Sequence, residues 1–113
     1  MELDEETQHK IRELQMTEQN AQNFSLQKQA FQIELNEASS SLEETKKASG
    51  DIFKITGQIM IRANKEEIIK ELEEKKEILS LRIKSIEKQE KLFIEKLEKL
   101  REEIENKLKN KKK

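Results

Sequence analysis

Apolar and small residues recur in alternating steps of three and four along the first part of the chain. The positions are Leu14, Thr17, Ala21, Phe24, Lys28, Phe31, Leu35, Ala38, Leu42 and Thr45. This alternation is the heptad pattern of a long helix that buries one narrow seam, and Lys28 is its chief interruption. Met16, Leu26 and Ile33 lie off that line and form a sparser second stripe. The seam stops at Ala48-Ser49-Gly50, where Gly50 suits the left-handed conformation that closes a helix, having no Cβ to clash.

A second arm follows. Asn64 with Glu67 three residues on has the spacing of a capping box, which predicts a helix start with Asn64 as cap. From there Ile69, Leu72, Lys76, Leu79, Ile83, Ile86, Glu90, Phe93, Leu97, Leu100 and Ile104 repeat the alternation, more strongly than in the first arm. Glu66 with Lys70, Glu71 with Lys75, Glu87 with Lys91 and Glu103 with Lys107 stand four apart, the spacing of helix-stabilising ion pairs. Each arm holds roughly 46 residues, about 70 Å at the helical rise. Equal arms around a central break predict that the chain folds back on itself, pairing the arms antiparallel. Leu14 then lies near Leu100, and Thr45 near Ile69. The alternative, a parallel dimer of long helices, gives the middle segment no clear role.

That middle segment, Asp51 to Asn64, breaks the helical period. Ile52-Phe53-Lys54-Ile55 is β-branched and aromatic, Thr56-Gly57 supplies a turn, and Gln58-Ile59-Met60-Ile61-Arg62 returns as a second strand. The pattern predicts a β-hairpin with two apolar faces: Phe53, Ile55 and Met60 on one, Ile52, Ile59 and Ile61 on the other. One face has the end of the coiled coil to rest on; the other has nothing in its own chain to cover it. A lone hairpin is marginal in water, and its outer edges offer unpaired backbone groups. Ile52, Phe53, Ile55, Gly57, Ile59, Met60 and Ile61 are therefore the candidate oligomerisation site. The expectation is an obligate oligomer with hairpins at the hub and helical arms radiating outward.

Composition narrows the class. Of 113 residues, 42% are charged and only 33% hydrophobic, too little apolar material for a compact globule of this size. Disorder or long helices with a narrow seam remain, and the absence of Pro with only two Gly favours helices. A net charge of −1 with interspersed signs argues against a chain built mainly to bind nucleic acid or an anionic membrane. The longest apolar run is too short to span a bilayer, and Met1-Glu2-Leu3-Asp4-Glu5-Glu6 is no signal peptide, so a cytoplasmic location is expected. Without Cys there are no disulfides and no thiolate metal sites. Gly-rich phosphate loops, nucleophile elbows and His-based metal motifs are missing, so neither catalysis nor a cofactor is expected. His9, the sole histidine, reads as solvated, because metal sites need several ligands.

With this layout the chain resembles the β subunits of prefoldin, of the archaeal type, over nearly its whole length. The resemblance rests on Gln27-Lys28-Gln29 and Leu35-Asn36-Glu37 in the first helix, and on Phe53-Lys54 followed by Gly57 in the hairpin. It continues with Glu71-Leu72-Glu73-Glu74-Lys75 and Lys88-Gln89-Glu90 in the second helix. Family members often carry Tyr where this chain has Phe53, which keeps the ring and loses a hydroxyl. The short connector has room for one hairpin, as in the β class, whereas α subunits carry two. The resemblance implies one prefoldin-type unit over residues 1–113: a first helix (1–49), a hairpin (50–64), and a second helix with a basic tail (65–113). It implies a hexamer of two α and four β subunits, a double β-barrel platform made from the hairpins, and six coiled coils hanging from it. It also implies that the tips hold unfolded proteins without ATP and pass them to a group II chaperonin.

The candidate client-binding residues lie near the chain ends: Ile11, Leu14, Met16, Leu100, Ile104 and Leu108. Coiled-coil ends fray because terminal helix groups lack partners, which bares seam residues. Several weak tips acting together gain avidity of about 10² or more. For Ile104 and Leu108 the plain alternative is ordinary seam packing; for Met16 and Leu26 it is scattered surface exposure. Lys28 and Glu90 interrupt opposing seams at similar depth and either pair or set the register. Lys109-Asn110-Lys111-Lys112-Lys113 reads as a solubilising, helix-terminating run, favourable near the negative end of the helix dipole. Two functions are compatible with these features: a client-holding chaperone subunit, or a passive structural or adaptor coiled coil.

Overall fold

The computed structural model describes residues 4–111; Met1-Glu2-Leu3 of the N-terminal reading, and Lys112 and Lys113 of the lysine tail, lie outside them. The element order is α1 (Glu5–Lys47), β1 (Ile52–Thr56), β2 (Ile59–Ala63) and α2 (Lys65–Lys111).

Each helix begins on a side-chain cap. The Asp4 carbonyl accepts from the Gln8 amide at 3.0 Å, and its Oδ1 accepts from the Thr7 amide at 2.7 Å. Asn64 does the same for α2: its Oδ1 accepts from the Glu66 and Glu67 amides at 2.9 and 3.3 Å. Glu5 and Glu6, then Glu66 and Glu67, place negative charge at the positive helix ends. α1 stops at Lys47, and Gly50, at φ 90°, turns the chain into β1 rather than closing the helix itself. The open end of α1 is met from the far side of the hairpin, where Lys65 Nζ donates to the Ala48 carbonyl at 2.9 Å. α2 runs into the lysine run, through Lys109 and Asn110 to Lys111.

The chain divides into two compact units, each built from both helices. One comprises Met1–Lys28 with Ser85–Lys113, the other Gln29–Lys84. Every seam position predicted above is buried or half-buried. In the Gln29–Lys84 unit the core is Ala38, Leu42, Leu79 and Ile83, with the Arg82 guanidinium 5.7 Å from the centre of the Phe31 ring. In the other unit it is Ile86, Leu97, Leu100 and Ile104 with Thr7 and Thr17, and the Phe24 and Phe93 rings meet at 5.1 Å. Burying one such Leu or Ile side chain contributes about 1.5–3 kcal/mol, so the seam holds each unit together despite the charged surface.

Cross-helix contacts show the antiparallel sense within each unit. Lys10 and Glu13 reach Glu103 and Lys96, which flank Leu100, so Leu14 and Leu100 share a level. In the hairpin unit Lys46 reaches Glu73, one turn past Ile69. Of the two readings of Lys28 and Glu90, direct pairing is the one observed, at 2.9 Å. Two of the four predicted four-apart pairs are redistributed: Glu71 bridges to Lys54, and Glu103 and Lys107 turn to Lys10 and Glu6. Seam-flanking charges have a second helix or the hairpin within reach, and a long side chain takes that partner over its own-helix neighbour.

Candidate assembly and client-contact surfaces

The hairpin follows from its sequence. Five residues on each side pair antiparallel, from Thr56 opposite Ile59 out to Ile52 opposite Ala63, leaving a two-residue loop of Gly57 and Gln58. Gly57 has φ 62° and no non-Gly residue among the described ones has positive φ, which fits a type II′ turn, one whose twist matches its strands. The turn sits one residue later than the predicted Thr56-Gly57. Residues directly opposite share a face, so Phe53, Ile55, Met60 and Arg62 form one side and Ile52, Lys54, Ile59 and Ile61 the other. These are the two apolar faces that the alternation predicts.

Neither face is covered. Phe53 and Ile61 are 51% exposed, and Ile55, Ile59 and Met60 are 64–71% exposed. Only Ile52 and Ala63, where the strands meet the helices, are half-buried. The expected rest of one face on the coiled coil is therefore confined to the hairpin base. Lys54 holds Glu71 of α2 at 3.2 Å, and Arg62 holds Asp51 at 2.9 Å, so the polar side chains of both strands are turned to their own chain. The sheet has two strands among the described residues. In a two-residue hairpin the pair flanking the loop is the hydrogen-bonded one, and alternation then turns the backbone groups of Phe53, Ile55, Met60 and Arg62 outward. The site thus offers two apolar faces and two open edges.

The predicted client residues lie in the other unit and divide in two. Leu100 and Ile104 are core, 6% and 8% exposed, and Ile11, Leu14 and Leu108 are half-buried. Met16 stands outside the seam at 68% exposure. Ile78, Leu81, Leu92 and Ile94 of α2 are exposed as well, and reading the seam alone passes over them. Sequence reasoning also missed how α1 begins. Stepping back four and seven from Leu14 gives Lys10 and Thr7, so the heptad register extends to polar residues. Thr7 is fully buried, and its Oγ1 has no hydrogen-bond partner. A buried unpaired hydroxyl costs about 1–3 kcal/mol. Thr17, 3% exposed, is satisfied within its helix, its Oγ1 donating to the Glu13 carbonyl at 2.8 Å.

Ion pairs flank this mixed seam. Glu6–Lys107, Lys10–Glu103 at 2.8 Å, Glu13–Lys96 at 3.4 Å and Glu18–Arg101 at 3.1 Å all cross between the helices. The hydrogen bond from Lys107, reinforced by its charge, lowers the Glu6 pKa. The bond between Lys10 and Glu103 raises the Lys10 pKa and lowers that of Glu103. Lys28 is likewise raised by its hydrogen bond to Glu90.

Other chemistry is sparse. A shallow groove of about 330 Å³ beside Ile78 mixes Glu34, Glu71 and Glu74 with Lys75 and Arg82, without the enclosed apolar walls of a small-molecule site. Among the described residues no group of three or more His, Cys, Asp or Glu is placed to hold a metal ion, and no helix is long and apolar enough to cross a membrane.

Comparison with known proteins matches residues 8–111 to the sequence profile described as "Prefoldin subunit". The prefoldin subunit beta of Methanosarcina acetivorans is 32% identical over 109 residues, 95% of this chain and 93% of that protein. That of Pyrobaculum islandicum is 42% identical over 89 residues, 77% of this chain and 71% of that one. The crystal structure of the prefoldin beta subunit from Thermococcus strain KS-1 superposes with a TM-score of 0.86 at 31% identity, covering 95% of this chain and 96% of that chain.

Proposed function

Because this chain belongs to the prefoldin subunit family, a membership that implies a chaperone-type function, we propose that it is a β-class subunit of an ATP-independent holding chaperone. Residues 1–113 act as one prefoldin-type unit in the cytoplasm. Hairpins from two α and four β subunits join into a β-barrel platform, with Ile52, Phe53, Ile55, Ile59, Met60 and Ile61 covered by sister strands and Gly57 setting the turn. The chain-terminal ends of the helices hold non-native segments through Ile11, Leu14, Met16, Leu100, Ile104 and Leu108, and the captured protein passes to a group II chaperonin. Catalysis, cofactors, nucleic acid and membranes have no part in this reading.

One observation carries it: a hairpin with both apolar faces exposed and both edges open. Such a surface is an aggregation hazard unless other strands cover it. Captured segments need apolar side chains rather than one defined sequence, because apolar contact is non-directional. The second reading, a passive scaffold, draws on the burial of Leu100 and Ile104, which leaves these two little free surface for a client. Aggregation of a chemically denatured protein, followed by light scattering with and without this chain reconstituted with a prefoldin α subunit, separates the two. Suppression is expected; an assembled complex that leaves the scattering curve unchanged would leave only the scaffold.

A further inference from the structure

The core of the chain-terminal unit is lopsided. On α2, Leu97, Leu100 and Ile104 are large, apolar and almost fully buried. On α1 the facing residues are mixed: Thr7 and Thr17 are buried, Lys10 is half-buried, and the apolar residues among them, Ile11 and Leu14, are only half-buried. The ion pairs frame this mismatch. Glu6–Lys107 and Lys10–Glu103 bracket Thr7 on one helix and Ile104 on the other. Glu13–Lys96 and Glu18–Arg101 bracket Leu14 with Thr17 on one and Leu97 with Leu100 on the other. A wholly apolar stripe is thus covered by a partly polar partner that buries an unpaired hydroxyl and carries ion pairs along its margins.

We propose that the start of α1, residues 4–17, is a displaceable cover over the Leu97–Leu100–Ile104 stripe of α2, latched by these ion pairs, and that an apolar segment of a non-native chain takes its place. This rests on the holding function proposed above and names how that site opens. The occupant is a segment with Leu, Ile or Phe at steps of three and four. It offers the stripe larger apolar groups than Thr7 and Thr17 do, and buries no hydroxyl in return. Asp4 caps the cover and Thr17 closes its hydrogen bonding internally, so the cover leaves as a formed helix, or frays from Asp4, without disturbing α2. The latch is screened by salt, whose Debye length falls from about 8 Å at 0.15 M to about 3 Å at 1 M, whereas apolar capture is not weakened in this way. Fraying alone would follow helix ends in general; the latch makes opening depend on particular residues.

The test uses the full chain assembled with a prefoldin α subunit. Amide hydrogen exchange over residues 4–17 and 97–108 is read beside binding of a fluorescent peptide of about two heptads, leucine at three-four spacing, with a scrambled-spacing control. Lys10→Gln with Glu103→Gln removes one bridge. It should speed exchange about two- to fivefold and raise peptide affinity by a similar factor. Thr7→Val keeps the shape and removes the unpaired hydroxyl, so it should slow exchange about fivefold or more and weaken peptide binding. Raising salt should act like the first variant on the parent and less on the variant itself. Exchange that ignores all three changes would overturn the cover. Peptide binding that persists but ignores the variants would overturn it too while leaving the holding function standing. Exchange that shifts as stated, with no peptide bound by any form, would overturn the holding function at this end and the occupant with it.

Discussion

Lys28 and Glu90 face each other from seam positions of α1 and α2, with Nζ and Oε1 2.9 Å apart. Each breaks the apolar alternation of its helix, as Lys76 also does in α2, so each is poorly placed alone and well placed opposite the other. A single polar layer of this kind fixes register at a cost in stability. Sliding one helix by a heptad would set Lys28 against Ile83 or Leu97 and leave two charges unpaired.

Lys28→Glu should therefore lower the thermal midpoint, because it sets a carboxylate beside Glu90 and Glu87, and Lys28→Glu with Glu90→Lys should recover most of the loss. Replacing both by Leu should raise the midpoint above the parent while loosening the register, seen as a broader distance distribution between spin labels on α1 and α2. Circular dichroism melts check the first pair. A single mutant as stable as the parent would show that the bridge does not set the register.

The Glu6 and Glu103 carboxyls are held below the ordinary glutamate value by Lys107 and Lys10, with Asp4 opposing the shift at Glu6 and Lys99 and Lys107 adding to it at Glu103. A carboxyl lowered on folding contributes stability above its unfolded value, about 4.3, and loses it as pH falls through the folded value. Lys10, raised on folding, contributes below about 10.4 and loses its share as pH climbs beyond that. Amide protection over residues 4–17, corrected for intrinsic exchange, should be level from about pH 5 to 9 and decline in acid below about pH 4. Lys10→Gln should flatten part of the acid limb.

Gly57→Val should destabilise the hairpin by about 1–2 kcal/mol through backbone strain alone, because the added Cβ meets nothing within 4 Å while φ stays at 62°. Assembly measured by sedimentation velocity should shift toward free subunits, with far-UV helicity nearly unchanged. Equal assembly at all concentrations would show that the turn geometry is not limiting.

Truncation after Glu102 removes Glu103, Ile104, Lys107 and Leu108, and with them two bridges to α1. Assembly through the hairpin should persist and client capture should weaken, since part of the stripe is gone although the cover is loosened. Unchanged capture would move the binding surface elsewhere, with exposed Met16, Leu92 and Ile94 the first residues to examine.

Much of this architecture is legible in the amino-acid order. The three-four alternation locates the seam from Leu14 to Thr45 and from Ile69 to Ile104, because burial on one helix face needs that period. The two-residue period from Ile52 to Ile61 separates the same two hairpin faces that the strand register shows. What stayed hidden depends on a second element. Glu71, Glu103 and Lys107 read as partners within their own helix, because spacing along one helix carries no information about what lies across the seam. Thr7 lies before the seam as read from Leu14, yet it is fully buried. Hydropathy does not flag a seam position filled by a hydroxyl, although extending the heptad backward from Leu14 would have done so. The Lys65 bond to the Ala48 carbonyl joins residues on either side of the hairpin and appears only once the chain has turned.

The central claim is that the exposed hairpin is an assembly surface, and native mass spectrometry tests it most directly. This chain, mixed with a prefoldin α subunit, should give a hexamer of two α and four β subunits. Ile59→Asp, which would bury an unpaired charge among sister strands, should abolish that mass while the helices persist by far-UV circular dichroism. A parent chain that stays monomeric beside the α subunit, or an Ile59→Asp variant that assembles as the parent does, would contradict the account.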